Sequence, residues 1–454
     1  MFKKLLIANR GEIVNRIINT CEKMGIKTVV IYSEADKNAT YIKRADEAYN
    51  IGPANPMKSY LNIDEIVKVM KISNADAVHP GYGFLSENSS FANVISELGA
   101  SWIGPSPKIL EEIESKCYCR EIANDVGVPV VPGSDKLVSS VDEILDIANS
   151  IGYPILLKLD KGGGGKGIEI AENGNDIKNI FERLCRVGTL AFASSDCYVE
   201  KAIKNPRHIE IQFIMDQFGK CVCLGERECS IQRRYQKIIE ESPSPVVTQE
   251  DRERLYDYTK KLASKMQYKG AGTMEFIRDE SGKFYFIEVN ARLQVEHPVS
   301  EFVTGVDIVE NQIRIACGER IDFTQDDIKL NGHSIECRVY AEDPVKFIPS
   351  PGTIQDISFP TIDSKYLRIE HALEKGSVVP PYYDPMLAKV ISWGQNRDEA
   401  IKILIQALND FKIKGIKTNI SINLNILKNQ KYISGDFDTS FIFSMNAVKS
   451  TVEV

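Results

Sequence analysis

The chain has 454 residues, 43% of them hydrophobic and 26% charged, with a formal net charge of −7. That length buries a core without disulfides or a structural metal and corresponds to roughly three domains. The composition excludes a collagen, a disordered tail, a disulfide miniprotein and a membrane protein, and the acidic balance argues against bulk nucleic-acid binding.

From Met1 to Arg10 the only apolar run is Leu5–Ala8, too short for a secretory signal, and no later run approaches a membrane span. Ten cysteines without a C-x-x-C pair give no zinc-ribbon or thioredoxin motif, and scattered thiols suit a reducing compartment. A cytoplasmic location is expected. Leu5–Ala8 reads as a buried strand and Arg10-Gly11-Glu12 as a turn. Ile13–Met24 reads as a helix with apolar residues at 13, 14, 17, 18, 21 and 24, stopped by Gly25, before a strand at Thr28–Tyr32. This βαβ unit predicts a parallel sheet covered by helices. A second unit follows, with a helix from Ile63, a strand at Ala75–His79 and the turn Pro80-Gly81-Tyr82-Gly83. Ser101–Ile103 adds a strand, and Ser106-Pro107 opens a helix running to about Asn124.

Gly127-Val128-Pro129 and Pro132-Gly133-Ser134 read as a linker into a small unit that extends to about 203. Strands are expected there at Pro154–Leu159 and Gly167–Ala171, and beyond it at Ile209–Met215, Lys220–Leu224, Thr273–Ile277 and Phe284–Val289. On the second of these last four, Cys221 and Cys223 share a face and read as packing. The last hundred residues, with Pro344, Pro349, Pro351 and Pro380-Pro381, read as mixed α/β.

Gly162–Gly167 formally matches G-x-G-x-x-G, but a dinucleotide site needs a helix next, and Ile168-Glu169-Ile170 alternates like a strand. A phosphate-loop motif fails too, because Gly167 follows Lys166 where Ser or Thr belongs. The context is strand–loop–strand, a hairpin whose amides can close over phosphates with Lys158 and Lys166 nearby. The alternative is a plain surface loop.

Thr273–Asp279 and Lys283–Asn290 flank Ser281-Gly282, which reads as a two-residue hairpin turn. With Glu280 and Lys283 closing it, Glu275 faces Glu288, and Asn290 and Arg292 share their face. Opposed like charges are destabilising, so a cation between them is the natural remedy. Oxygen ligands without His or Cys point to Mg²⁺ or Mn²⁺. Arg292–Pro298 then crowds a cation, an amide, an acid and an imidazole together, able to bind a small anion with Glu296 as base. Gln232–Lys237 is basic and aromatic, but so short a segment in an acidic chain does not make an RNA surface.

His79–Asn88, Gly162–Gly167, Asn205–His208, Arg233–Lys237, Gly272–Phe276, Phe286–Asn290, Arg292–Pro298, Glu336–Arg338 and Pro380–Asp384 occur in one order along the chain. Together they closely resemble biotin carboxylase, the ATP-grasp component of biotin-dependent carboxylases. The resemblance implies an α/β fold in four parts: an N-terminal parallel-sheet domain (1–113), a linker and α+β lid (114–203), an ATP-grasp catalytic unit (204–334) and a C-terminal mixed α/β domain (335–454). It implies Glu296, Arg292, Arg338 and Lys237 as catalytic residues and Lys237, Arg292, Gln294 and Val295 as the bicarbonate site. ATP contacts are implied at Lys116, Lys158, Gly163, Gly164, Gly165, Lys166, Gly167, Glu200, Lys201, Ile203, His208, Gln232, Tyr235, Glu275 and Glu288. Tyr82 and Arg338 are implied for biotin, and Glu275, Glu288 and Asn290 for two ions of Mg²⁺ or Mn²⁺.

The resemblance further implies ATP as substrate, a homodimer, and service to acetyl-CoA carboxylase alongside carboxyltransferase subunits. Without a Met-Lys-Met signal in the sequence, biotin is expected on a separate carrier protein. No nucleic-acid or membrane partner is expected. Three departures stand out: Tyr235 replaces an expected His, Leu159 a small residue, and Lys161 a glycine. Another ATP-grasp ligase would share the lid and metal residues but would not need Arg292, Glu296 and Arg338. A nucleotide-binding subunit without turnover would have lost Glu296, Lys237 or Arg338.

Overall fold

The computed structural model describes residues 1–162, 167–192 and 194–445. The opening βαβ pattern folds as expected. Strands β1 (Lys4–Ile7), β2 (Lys27–Tyr32), β3 (Glu47–Asn50), β4 (Ala77–His79) and β5 (Ser101–Trp102) form a parallel sheet in the order β3-β2-β1-β4-β5. The periodicity of helix Glu12–Met24 buries Ile13, Val14, Ile17, Ile18 and Cys21 on one face, and Gly25 ends it. The helix expected from Pro107 to Asn124 is interrupted. Pro107–Ile113 is capped by Ser106, and Lys116–Asp125 restarts where the Ser115 hydroxyl accepts from the Tyr118 amide. A second good N-cap inside one apolar pattern divides the helix without disturbing its period.

The lid carries β6 (Ile155–Leu159), β7 (Ile168–Ala171) and β8 (Cys197–Lys201), antiparallel in the order β7-β6-β8. Helices Val141–Ile151 and Ile177–Phe192 pack against them. A strand does follow the glycine loop, whose residues Gly163, Gly164, Gly165 and Lys166 lie outside the described residues.

The rest of the chain builds β9 (Arg207–Met215), β10 (Cys221–Arg233), β11 (Gln236–Ser242), β12 (Gly270–Arg278), β13 (Phe284–Asn290) and β14 (His333–Tyr340). After these come β15 (Gly352–Thr353), β16 (Asp356–Ser358), β17 (Leu367–His371), β18 (Val378–Val379), β19 (Met386–Gly394) and β20 (Lys412–Lys414). Eight of them form one antiparallel sheet in the order β13-β12-β9-β10-β11-β14-β19-β17. This sheet runs straight across residue 334, so the C-terminal strands extend the surface begun by β9–β13. Strand β10 outruns the expected Lys220–Leu224 because Glu226, Arg227, Glu228, Ser230 and Gln232 lie on it, buried, and mask its apolar alternation. One extra residue between Cys223 and Glu226 makes a β-bulge against β9. Cys223 is buried and Cys221 half-buried, and all ten cysteines are free thiols. Among the described residues no helix is long and apolar enough to cross a membrane.

Candidate active site

Glu275 on β12 sits directly opposite Glu288 on β13, but the hairpin reaches this register by an unexpected route. Asp279 and Lys283, rather than Glu280 and Lys283, close the turn, around three residues with Gly282 at φ 87°. One extra residue on β13, between Phe286 and Glu288, then restores the pairing. The two one-residue deviations cancel. The same rung continues across the sheet, with Glu275 facing Glu210 on β9 and Glu210 facing Arg227 on β10. Three carboxylates thus lie in line across three strands, ended by a guanidinium.

Lys237 on β11 gathers this row. Its Nζ lies 2.6 Å from Glu210 Oε2, 3.0 Å from Glu275 Oε1 and 2.7 Å from Glu296 Oε1. Glu296, fully buried just ahead of helix His297–Thr304, accepts through its other oxygen from Arg338 NH2 at 2.9 Å. Burial opposes charge on Glu296, but Lys237, Arg338 and Arg227 outweigh it and hold its carboxyl well below the usual range. Glu275 is held low in the same way, against its burial, by Lys237 and by His208, whose Nε2 lies 2.9 Å from Glu275 Oε2.

A second group surrounds Arg292. It donates to Glu87 Oε2 at 2.8 Å, Asn290 Oδ1 at 3.0 Å and Gln294 Oε1 at 3.1 Å. Since Gln294 accepts through oxygen, its amide nitrogen faces elsewhere, and Nε2 is a buried donor without a partner among the described residues. Such a donor beside a guanidinium suits a small anion. The Asn290 amide nitrogen donates to Glu275 Oε1 at 2.9 Å. The Val295 carbonyl accepts from Lys389 Nζ at 2.8 Å.

The residues expected at the nucleotide are more dispersed. In the lid, Lys158 and Arg120 both bond the buried Glu200 carboxylate. Lys116 donates to the Gly162 carbonyl and lies 3.4 Å from Glu288 Oε2, joining the lid loop to the hairpin. The Lys201 ammonium instead caps the carbonyls of Gly152 and Tyr153 at 3.0 and 2.7 Å, so its charge stays inside the lid. Ile203 is half-buried between β8 and β9, and Gln232 is buried opposite Lys237. Tyr235 is 56% exposed in the β10–β11 turn, where it and Arg234 both hold positive φ. Tyr82 is half-buried, its ring centroid 5.9 Å from Lys389 Nζ and its hydroxyl without a partner among the described residues.

Sequence reading missed Glu210, Arg227, Glu240, Glu87 and Arg120. The signal for Glu210 was its alternation with His208 and Gln212, between Ile209, Ile211 and Phe213. A polar strand face reads identically whether it meets solvent or a cleft.

Family models match along the chain: the biotin carboxylase N-terminal domain over residues 1–110, the ATP-binding domain of the carbamoyl-phosphate synthase L chain over 115–324, and the biotin carboxylase C-terminal domain over 336–444. Biotin carboxylase 1 of Bacillus subtilis (strain 168) is 46% identical, over 99% of this chain and 100% of its own. A pyruvate carboxylase subunit of Methanothermobacter thermautotrophicus is 44% identical, over 97% of this chain and 90% of its own. The biotin carboxylase domain dimer of Hydrogenobacter thermophilus 2-oxoglutarate carboxylase, crystallised with MgADP, ADP and bicarbonate, is 47% identical and superimposes with a TM-score of 0.96, covering 99% of this chain and 98% of that one. The chain belongs to the biotin carboxylase family.

Proposed function

We propose that this protein uses ATP and bicarbonate to carboxylate biotin presented on a separate carrier protein. One observation carries the reading. A fully buried carboxylate, Glu296, is held on one oxygen by Lys237 and on the other by Arg338, at 2.7 and 2.9 Å. One acid thus bridges the cation that reaches the carboxylate row and the cation on β14.

Bicarbonate fits between Arg292 and the free Gln294 Nε2 donor, with Lys237 at hand. With both oxygens paired to cations, Glu296 is ionised but weakly basic. An arriving anion that draws Lys237 away raises its basicity when a proton must be taken. Glu296 then accepts the bicarbonate proton, and the carbonate oxygen attacks the γ-phosphorus of ATP. The bond to ADP breaks and carboxyphosphate forms. Carboxyphosphate separates into CO₂ and phosphate, phosphate removes the N1′ proton of biotin, and the ureido nitrogen bonds to CO₂. Arg338 faces the negative charge that develops on the ureido oxygen, as a preorganised cation should.

Glu275 and Glu288, opposed across the hairpin, supply the hard oxygen donors that Mg²⁺ or Mn²⁺ prefers, and Asn290 Oδ1 joins them once its amide turns over. The cation, when bound, neutralises phosphate charge. Lys237 and His208 meet Glu275 on its other side.

Full-length agreement with a protein named biotin carboxylase alone supports acetyl-CoA carboxylase as the assembly served, with a carrier protein and carboxyltransferase subunits as partners and a homodimer as the working form. The test is ADP release with Mg²⁺, adding bicarbonate and free biotin separately and together, beside Glu296→Gln. Turnover that needs both substrates and collapses in the variant upholds the reading; ATP cleavage indifferent to both overturns it.

A further inference from the structure

Arg338 has a second carboxylate partner. Glu240 on β11 is fully buried, and its Oε1 accepts from Arg338 Nε at 2.6 Å and from NH2 at 2.5 Å. Arg338 NH2 is therefore shared between Glu240 and Glu296. Directly opposite Glu240 on β14 is another buried acid, Glu336, two residues before Arg338 and on the same face. Neither Glu336 oxygen, nor Glu240 Oε2, has a hydrogen-bond partner among the described residues. The charged groups around this pair are Arg338, Lys237 on β11, Lys389 on β19 and Glu296. Lys389 is already engaged, 2.6 Å from Glu370 Oε2 and 3.4 Å from Glu12 Oε1.

We propose that Glu240 is the positioning residue for Arg338, and that Glu336 remains a neutral carboxylic acid beside it. Two ionised carboxylates opposed in a buried sheet repel strongly, and only one guanidinium is available to them. The carboxylate that grips Arg338 keeps its charge and the ungripped one keeps a proton. Burial pushes both carboxyls up, Glu240 only to about 7 because Arg338 opposes it, and Glu336 well above the usual range.

The consequence concerns timing, and it rests on the function proposed above. Once Glu296 has taken the bicarbonate proton, its grip on Arg338 weakens. Charge then develops on biotin, and Glu240 is the carboxylate that still aims the guanidinium. Loss of Glu240 should therefore damage the biotin step more than the phosphorylation of bicarbonate.

The experiment compares wild type, Glu240→Gln and Glu336→Gln in biotin-dependent ADP release and in bicarbonate-dependent ADP release without biotin, with thermal melts as a folding control. Glu240→Gln is expected to lose about 10- to 100-fold in the biotin-dependent kcat while its biotin-free rate changes little. Glu336→Gln, an isostere of a neutral acid, is expected to match wild type in both. Equal damage from both variants, or full biotin-dependent activity in Glu240→Gln, overturns the proposal. Should Glu240→Gln not fold, Glu240→Asp decides: it keeps the charge but withdraws the acceptor by one methylene, so the same selective loss is expected and its absence is fatal. A wild type without biotin-dependent turnover overturns the proposed function itself, an outcome separate from failure of the positioning role alone.

Discussion

Arg397 grips both oxygens of Glu241, Nε to Oε2 at 2.6 Å and NH2 to Oε1 at 3.0 Å, and so ties helix Arg397–Asp410 to β11. His333 Nε2 lies 2.6 Å from the same Oε2. Burial opposes charge on Glu241, yet Arg397 and His333 bring its carboxyl down to about 2. A carboxyl lower in the folded than in the unfolded chain stabilises the fold above its unfolded value, near 4.5, and that stabilisation is lost as pH falls toward 2. The shift is worth about 3 kcal/mol. Glu241→Gln should melt lower than wild type at neutral pH, and the gap should close between pH 4.5 and 2 in thermal scans.

Arg227 donates Nε to Glu210 Oε1 at 2.5 Å, both side chains wholly buried, and also reaches Gln212 at 2.7 Å and Thr273 at 3.1 Å. Arg227→Met leaves Glu210 with Lys237 as its one cation. Removing one partner of a buried pair costs about 3–5 kcal/mol, readable as a lower urea midpoint. Lys237 should be drawn toward Glu210 and away from Glu296, so kcat should fall as well.

Gly167 has φ 79°, and a Cβ there would stand 2.5 Å from Leu159 Cδ1. Gly167→Ala therefore pays for both backbone strain and a collision, about 1–3 kcal/mol within the lid. ADP affinity by calorimetry should weaken. Adding Leu159→Ala should recover the part due to the collision but not the part due to φ.

Glu288→Gln removes one of the two opposed carboxylates. Mn²⁺ titrated in the presence of ADP and followed by electron paramagnetic resonance should bind about 10-fold or more weakly. Because the variant also relieves the repulsion from Glu275, the unliganded protein should be no less stable than wild type.

The register of Glu275 against Glu288 was legible because opposed acids on a hairpin call for a reason, but the turn was not. Asp279-Glu280-Ser281-Gly282 allows loops of two or three residues, and no local signal marks the extra residue on β13. Helix Glu12–Met24 was legible because its buried face is purely apolar. Strand β10 was not, because Arg227 and Glu228 sit in a buried polar network that erases the alternation on which strand reading depends. The Glu210–Glu275 rung was equally hidden, since it joins residues 65 positions apart.

In a flat sheet, the three strand spacings between β11 and β12 would hold Lys237 and Glu275 about 14 Å apart at the backbone. Their side chains nevertheless meet at 3.0 Å, so the sheet must curl into a trough. The bulge in β10 contains Gly225, and it supplies such a bend on a strand lying between the two. A position remote from every proposed reacting atom thereby sets how many acids one lysine can serve. Were the trough to flatten, every side chain would survive, but the carboxylate row and the Arg338 end would become two separate places, and a proton accepted at one would no longer be felt at the other.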